Sequence, residues 1–293
     1  MSKNIFEEFI QVDLIDKGWS GDKKYCVIKK DRKKYLLRVC HIDKYESMSF
    51  LFKALDPIVK MGLPICDPVE ISKYESNVYT LYEWVDGEDA RECLSSFNEE
   101  DQYSFGFKSG EILKQIHSIP VQIEVQDWES RFNNKVDRKI KMYQECGIKI
   151  DGDHNFIRYI DQNRHLLSGR PQCFQHGDYH VGNFMIEDKN LVVIDFDRHD
   201  HGDPWEEFNR IVFSADTSPH FAKGQVNGYF NNDPPEEFFK LMAFYMASNT
   251  FASIPWCISA NDMESLKYMT HLAERTLFWF NDMNSYIPNW YKT

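Results

Sequence analysis

The chain has 293 residues, 42% hydrophobic and 27% charged, enough for one or two domains with a sizeable core. Its formal net charge of -12 argues against nucleic acid as a partner, because non-specific binding asks for a basic face. Seven scattered cysteines without a C-x-x-C pair read as free thiols, no apolar run approaches the ~18 residues of a membrane span, and no basic-then-apolar signal opens the chain, so a cytoplasmic protein without a membrane partner is expected.

Apolar positions at helical spacing, Ile5, Phe6, Phe9 and Ile10, shade into an extended run through Leu14. Next comes Gly18-Trp19-Ser20-Gly21, two glycines around a small polar residue. Such a turn can present backbone N–H groups to phosphates, or it can simply join two strands. Residues 25–28 and 35–39 read as strands around a charged turn, and the second carries one cation, Arg38. From Asp43 to Met61 the stripe Tyr45, Met48, Leu51, Phe52 and Leu55 predicts a helix, stopped by Gly62-Leu63-Pro64. Residues 69–71 and 78–82 complete a small antiparallel set, which the chain leaves through Glu83-Trp84-Val85-Asp86-Gly87.

Residues 97–118 form a strong helical pattern with Ser96 or Asn98 as cap and Pro120 beyond its end. Residues 121–168 are polar and helical in pattern, with a break at 147–153. Then His176-Gly177-Asp178 is followed at the fifth position by Asn183, and the apolar run 191–194 ends in Asp195. Phosphoryl transfer needs a group to orient the acceptor hydroxyl and oxygen ligands for magnesium on the phosphates. Asp178, Asn183 and Asp195 supply that set at the spacing of the protein-kinase signature. His199, Asp200 and His201 alternate in a loop, a poor basis for a closed metal site. Beyond Trp205 the chain is helical and aromatic, with Asp233-Pro234-Pro235-Glu236 opening one helix. Strands followed by helices make the class α+β.

These motifs, in this order over almost the whole chain, resemble those of aminoglycoside phosphotransferases and choline kinase-like small-molecule kinases, which share the protein-kinase-like fold. The resemblance implies two lobes: 1–86 as a small antiparallel-sheet N-lobe with its hinge, and 87–293 as a larger, mainly helical C-lobe with an insert near 121–168. It implies a nucleotide-dependent O-phosphotransferase acting on a hydroxyl of a small cationic molecule such as an aminoglycoside, and hence antibiotic resistance. ATP or GTP would be the donor and Mg2+ the cofactor. A choline or other metabolite kinase is the alternative, with aromatic faces for a quaternary ammonium. A nucleotide-binding pseudokinase is a third reading, against which the intact Asp178, Asn183 and Asp195 argue.

Carried over by motif, Asp178 is the catalytic residue and Asn183 and Asp195 are the metal ligands. Arg38 braces the α- and β-phosphates where the family usually has Lys, a change that is not conservative at a phosphate. Glu46 is its expected ion-pair partner, with Asp43 as competitor and helix cap. Ser20 sits in the nucleotide flap, and the Glu83 carbonyl and Val85 N–H are the backbone partners of the purine. Asp197 stands where D-F-G has its glycine, and Asp197, Glu206 and Glu207 are candidates for gripping substrate amines.

Overall fold

The computed structural model describes residues 5–16, 21–121 and 125–292, and the chain in it forms two compact units. The first runs to Glu88 and takes in Met185–Asp197; the second comprises Asp89–Phe184 and the chain from Arg198 onward.

In the first unit, β1 (Phe9–Ile15), β2 (Lys23–Lys29), β3 (Lys34–His41), β4 (Pro68–Tyr74) and β5 (Asn77–Glu83) form one antiparallel sheet of order β1-β2-β3-β5-β4. Alternation sorts its faces. Val27, Leu37, Tyr79 and Leu81 build a core with Ile5 on one side, and Phe6 packs edge-on against Tyr25 and Tyr79. On the other side Lys24, Arg38 and Thr80 stand abreast across three strands. The helix α1 (Tyr45–Lys60) buries Met48, Leu51, Leu55 and Ile58, an i, i+3, i+4 stripe. Asp43 does not cap it: it lies in a preceding 3-10 turn, its carboxylate 2.8 Å from His41 Nδ1.

The two-residue strand β6 (Glu88–Asp89) and the helical turn α2 (Ala90–Cys93) lead to α3 (Glu99–Ile116), capped by the Asn98 side chain on the Asp101 N–H. The insert is α4 (Trp128–Glu145) and α5 (Asp153–Asn163), separated at the expected break. Next come β7 (Cys173–Gln175), β8 (Phe184–Glu187), β9 (Asn190–Val193) and β10 (Asp200–Gly202). The remaining helices are α6 (Ile211–Thr217), α7 (Pro219–Phe230), α8 (Glu236–Ser259), α9 (Met263–Trp279) and the short α10 (Asn289–Lys292).

One boundary differs from the sequence expectation. Residues 185–197, assigned from the sequence to the C-lobe, group with the first unit. The reason is backbone pairing: the Cys66 N–H donates to the Val193 carbonyl and the Val193 N–H to the Pro64 carbonyl, both at 2.9 Å.

The core of the second unit is aromatic. Phe132 of α4 meets Tyr245 edge-on at 4.9 Å, and Phe251 receives Tyr143 and Phe156 from the two insert helices. The helix α8 is buried on nearly every side along its central turns, so it lacks the one-sided pattern of a surface helix. β7 pairs with β10 in antiparallel register and delivers the H-G-D segment directly at its end.

Candidate active site

Arg38 in the first unit is 6% exposed and surrounded by carboxylates. Its Nη1 donates to Asp197 Oδ1 at 2.8 Å and to Asp195 Oδ1 at 3.2 Å, while Nη2 donates to Asp197 Oδ2 and, at 3.4 Å, to Asp22 Oδ2. The fork of the guanidinium thus grips Asp197 with both arms, a geometry that Lys lacks. Lys24 approaches Asp195 at 3.8 Å and Lys44 takes Asp22 at 2.6 Å. Burial alone would make Arg38 easier to deprotonate, but Asp197 and Asp195 outweigh it and raise its pKa further. Asp197 moves up as well, from burial and from the neighbouring Asp195 acting against the pull of Arg38.

Glu46, the expected partner, is not among these groups. It is exposed in the first turn of α1, whereas Asp197 lies where the fork of Arg38 points. Asp197 is therefore engaged by a cation of its own unit and not set aside for a substrate amine. Asp195 has φ +64°, a left-handed conformation that Asp tolerates better than most residues.

At the expected hinge, the Glu83 N–H donates to the Asp67 carbonyl at 2.9 Å and the Glu83 carbonyl accepts the Cys66 thiol at 3.2 Å. Burial foremost, with Asp67 nearby, pushes that thiol up to about 12, so it keeps its proton and serves as the donor. Tyr82 is buried, its ring 5.3 Å from Phe52. Val85 follows in an irregular stretch, and Ser20 lies outside the described residues.

The loop of the second unit is held at almost every step. The Glu207 carboxylate, 2% exposed, accepts the His176 N–H on one oxygen and the Gly177 N–H on the other, each at 2.7 Å. The Asp178 N–H donates to His176 Nδ1 at 3.2 Å. Gly177 has φ +84°, and a Cβ there would overlap the Arg198 carbonyl, so the sharp turn before Asp178 requires glycine twice over. Tyr179 donates its hydroxyl to the Ser109 carbonyl at 2.7 Å, and the Val181 N–H donates to Ser214 Oγ at 3.1 Å. Asn183 closes the loop, its amide donating to the Asp178 carbonyl at 2.7 Å, which leaves its side-chain oxygen as an acceptor.

Three cationic or potentially cationic groups face the Asp178 carboxylate. Arg210 Nε lies 3.3 Å from Oδ1, His180 Nε2 3.6 Å from Oδ1, and Arg198 Nε 3.7 Å from Oδ2. Burial works to raise its pKa, but His180, Arg210 and Arg198 prevail and hold the carboxyl well below the usual range. His180 accepts the Gly182 N–H on Nδ1 at 3.0 Å, and its burial lowers its own pKa.

Glu206 and Glu207, proposed from the sequence as grips for amines, are buried and engaged. Glu207 anchors the loop and lies 3.5 Å from His117 Nε2. Glu206 pairs with Lys135 Nζ at 3.1 Å and accepts from Gln175 at 3.4 Å. Asp203 holds Arg170 in a two-armed bond of 2.7 and 3.0 Å and accepts the Tyr245 hydroxyl at 2.7 Å. Arg198, Arg210 and the loop-anchoring role of Glu207 escaped the sequence reading, since no short-range spacing marks partners 20 to 32 positions away. A wide depression of about 620 Å³ among Asp151, Phe278, Asn281, Ile287 and Lys292 shares no residue with the loop.

A family model described as the phosphotransferase enzyme family matches residues 11–239. The chain belongs to this family. No curated protein matches it by sequence. A structure of a thermostable aminoglycoside phosphotransferase APH(4)-Ia with AMP-PNP and hygromycin B aligns at TM-score 0.68 and 16% identity, covering 96% of this chain and 97% of the other. An amicoumacin kinase, hAmiN, aligns at TM-score 0.66 and 14% identity, covering 96% and 91%. Spectinomycin phosphotransferase APH(9)-Ia aligns at 0.64 and 13%, covering 92% and 93%. At these identities the likeness is one of fold, and the two-lobe α+β fold of this phosphotransferase family member matches theirs.

Proposed function

We propose that this protein transfers the γ-phosphoryl group of ATP or GTP to a hydroxyl of a small molecule. The observation that carries the reading is Asp178: a carboxylate kept ionised by Arg198, Arg210 and His180, on a loop whose backbone is fixed from both ends. So acidic a group is a weak base early in the reaction, so it orients the acceptor hydroxyl and takes the proton as phosphorus is attacked. The new bond joins the acceptor oxygen to the γ-phosphorus, the β–γ bridging bond breaks, and the nucleoside diphosphate leaves with those electrons.

By their places in the motif, Asn183 through its amide oxygen and Asp195 through its carboxylate are the oxygen donors proposed for Mg2+, an ion that takes one or two protein oxygens along with phosphate and water. Bound there, the ion neutralises charge on the phosphates. Arg38, with Lys24 beside it on the same face of the sheet, would serve as phosphate brace.

The structural neighbours named above bind hygromycin B, amicoumacin or spectinomycin, which favours an antibiotic-sized acceptor. Against a strongly cationic one stands the engagement of Asp197, Glu206 and Glu207 by Arg38, by Lys135 and by the loop amides. Asp178→Asn keeps the shape of the loop and removes the charge. It is expected to lower kcat by about a thousandfold while nucleotide affinity, measured calorimetrically, stays within about threefold. Turnover close to that of the parent protein would overturn the assignment.

A further inference from the structure

The second unit carries a cationic group that the transfer of phosphate to an unspecified hydroxyl does not use. Lys139 on α4 is half-buried, with its Nζ 3.4 Å from Ser248 Oγ on α8. Lys135, one turn earlier, is drawn to Glu206, and both ammonium groups flank the ring of Phe132, at 5.2 and 5.9 Å. Burial, together with Lys135, Arg210 and Arg138, lowers Lys139 to about 7, and Glu206 is the carboxylate that opposes this. Arg210 links the group to Asp178, which Arg198 flanks on its other oxygen.

The neighbouring carboxylates do not restore the balance. Glu207 is turned onto the backbone of the loop, and Asp200 is held by Arg131. Three cations, Lys135, Arg198 and Arg210, together with the partly neutral Lys139, thus stand against Asp178 and Glu206, in a chain whose formal net charge is -12. Such a local excess of positive charge is the reverse of what a polyamine acceptor requires.

We propose that the acceptor carries an anionic group, a carboxylate or a phosphate, within a few bonds of the hydroxyl it presents to Asp178, and that Arg210 and Lys139, whose amine the buried Ser248 positions, take that group. The proposal rests on the phosphotransferase reading and names the class of acceptor for it. It has a signature that a structural lysine would lack. A Lys that is partly neutral near pH 7 gains a proton when an anion is placed beside it. Binding at pH 8 therefore takes up protons, and the heat of binding depends on the ionisation enthalpy of the buffer.

The test is isothermal titration of the full chain with glycerol 3-phosphate, D-glycerate, glycerol and ethanolamine in two buffers at pH 8. The two anionic probes separate a phosphate from a carboxylate preference. At least one is expected to bind about tenfold or more tightly than glycerol, with proton uptake, and ethanolamine to bind no better than glycerol. In Lys139→Met the anion affinity falls about tenfold and proton uptake disappears. The affinity for magnesium nucleotide is unchanged, and the melting temperature does not fall, because a half-buried amine whose charged form is disfavoured there has been replaced by an apolar chain of similar length. Ser248→Ala gives a smaller loss in the same direction.

Anions that bind no better than glycerol, tighter binding of ethanolamine, or an anion affinity indifferent to Lys139→Met would each overturn the proposal. Nucleotide binding and the Asp178→Asn kinetics are read on the same preparation. Their failure defeats the phosphotransferase reading, whereas their success with indifferent anions defeats only the acceptor class.

Discussion

Asp178 is ordinary in type and unusual in setting. A carboxyl this buried would ordinarily hold its proton more tightly, yet His180, Arg210 and Arg198 pull its pKa down. The sign for stability follows from linkage. A depressed folded pKa contributes stability above the unfolded carboxyl value near ~4, and that contribution is lost as pH falls through the lower folded value. The same shift keeps the carboxylate ionised on the acid side of neutrality, so Asp178 should not set the acid limb of the rate profile above the ordinary carboxylate range. Arg210→Met removes a cation 3.3 Å from Oδ1 and leaves burial in place. The variant should raise the pKa of Asp178, read from the titration profile of its carboxyl carbon by NMR, and lower kcat about tenfold or more. A profile that superimposes on that of the parent would show that Arg210 does not tune the carboxylate. Of these residues Asp178 and Asn183 were legible because their relation is five positions long. Arg210 and Glu207 were not, because a partner some thirty positions away leaves no periodic mark on the sequence.

At the scale of elements, the strands and the long helices could be read from their apolar periodicity, and the packing of one helix on another could not. The crossing of α3 and α7 depends on four glycines, Gly106 and Gly110 on one and Gly224 and Gly228 on the other, each pair separated by one helical turn. A Cβ at Gly228 would overlap the Phe107 carbonyl and one at Gly106 the Phe221 carbonyl, so backbone lies against backbone. The sequence pattern marks 97–118 as a helix and says nothing of what its glycines meet. The four-residue spacing was visible, but which helix lay opposite was not. Two effects compete in Gly228→Ala. Helix propensity favours Ala by about 1 kcal/mol, whereas forcing a methyl group into a filled contact costs about 1–3 kcal/mol or more. The neighbour is main chain and cannot swing aside, so overlap wins. A net loss near ~2 kcal/mol is expected, seen as a fall in melting temperature of roughly 4–8 °C. Gly21→Ala, where a Cβ would meet nothing within 4 Å, is the control and should stay within about 0.5 kcal/mol of the parent. Equal melting temperatures for all three proteins would contradict the close-packed crossing.

For the whole molecule, the family and the two-lobe class were legible in the order of the motifs, because each stage of phosphoryl transfer asks for a particular residue type. The allocation of residues to units was less so: the hairpin that ends in Asp195 follows its backbone pairing with Pro64 and Cys66, not its place in the sequence. As a result Arg38, Asp22, Asp195 and Asp197 are all internal to the first unit. There Arg38 neutralises its neighbours, and that role can be separated from the phosphate binding proposed for it. Arg38→Met leaves three carboxylates without the guanidinium they share. Breaking a buried pair from one side costs about 3–5 kcal/mol, and the partial exposure of Asp195 and Asp197 argues for the lower end. Asp197→Asn in the same chain removes part of the repulsion, so the double variant should melt higher than Arg38→Met alone. Nucleotide affinity should not recover with it. If Arg38 braces the phosphates, both variants bind magnesium nucleotide about tenfold or more weakly than the parent. If Arg38 serves only to neutralise its neighbours, the second substitution restores affinity and melting temperature together.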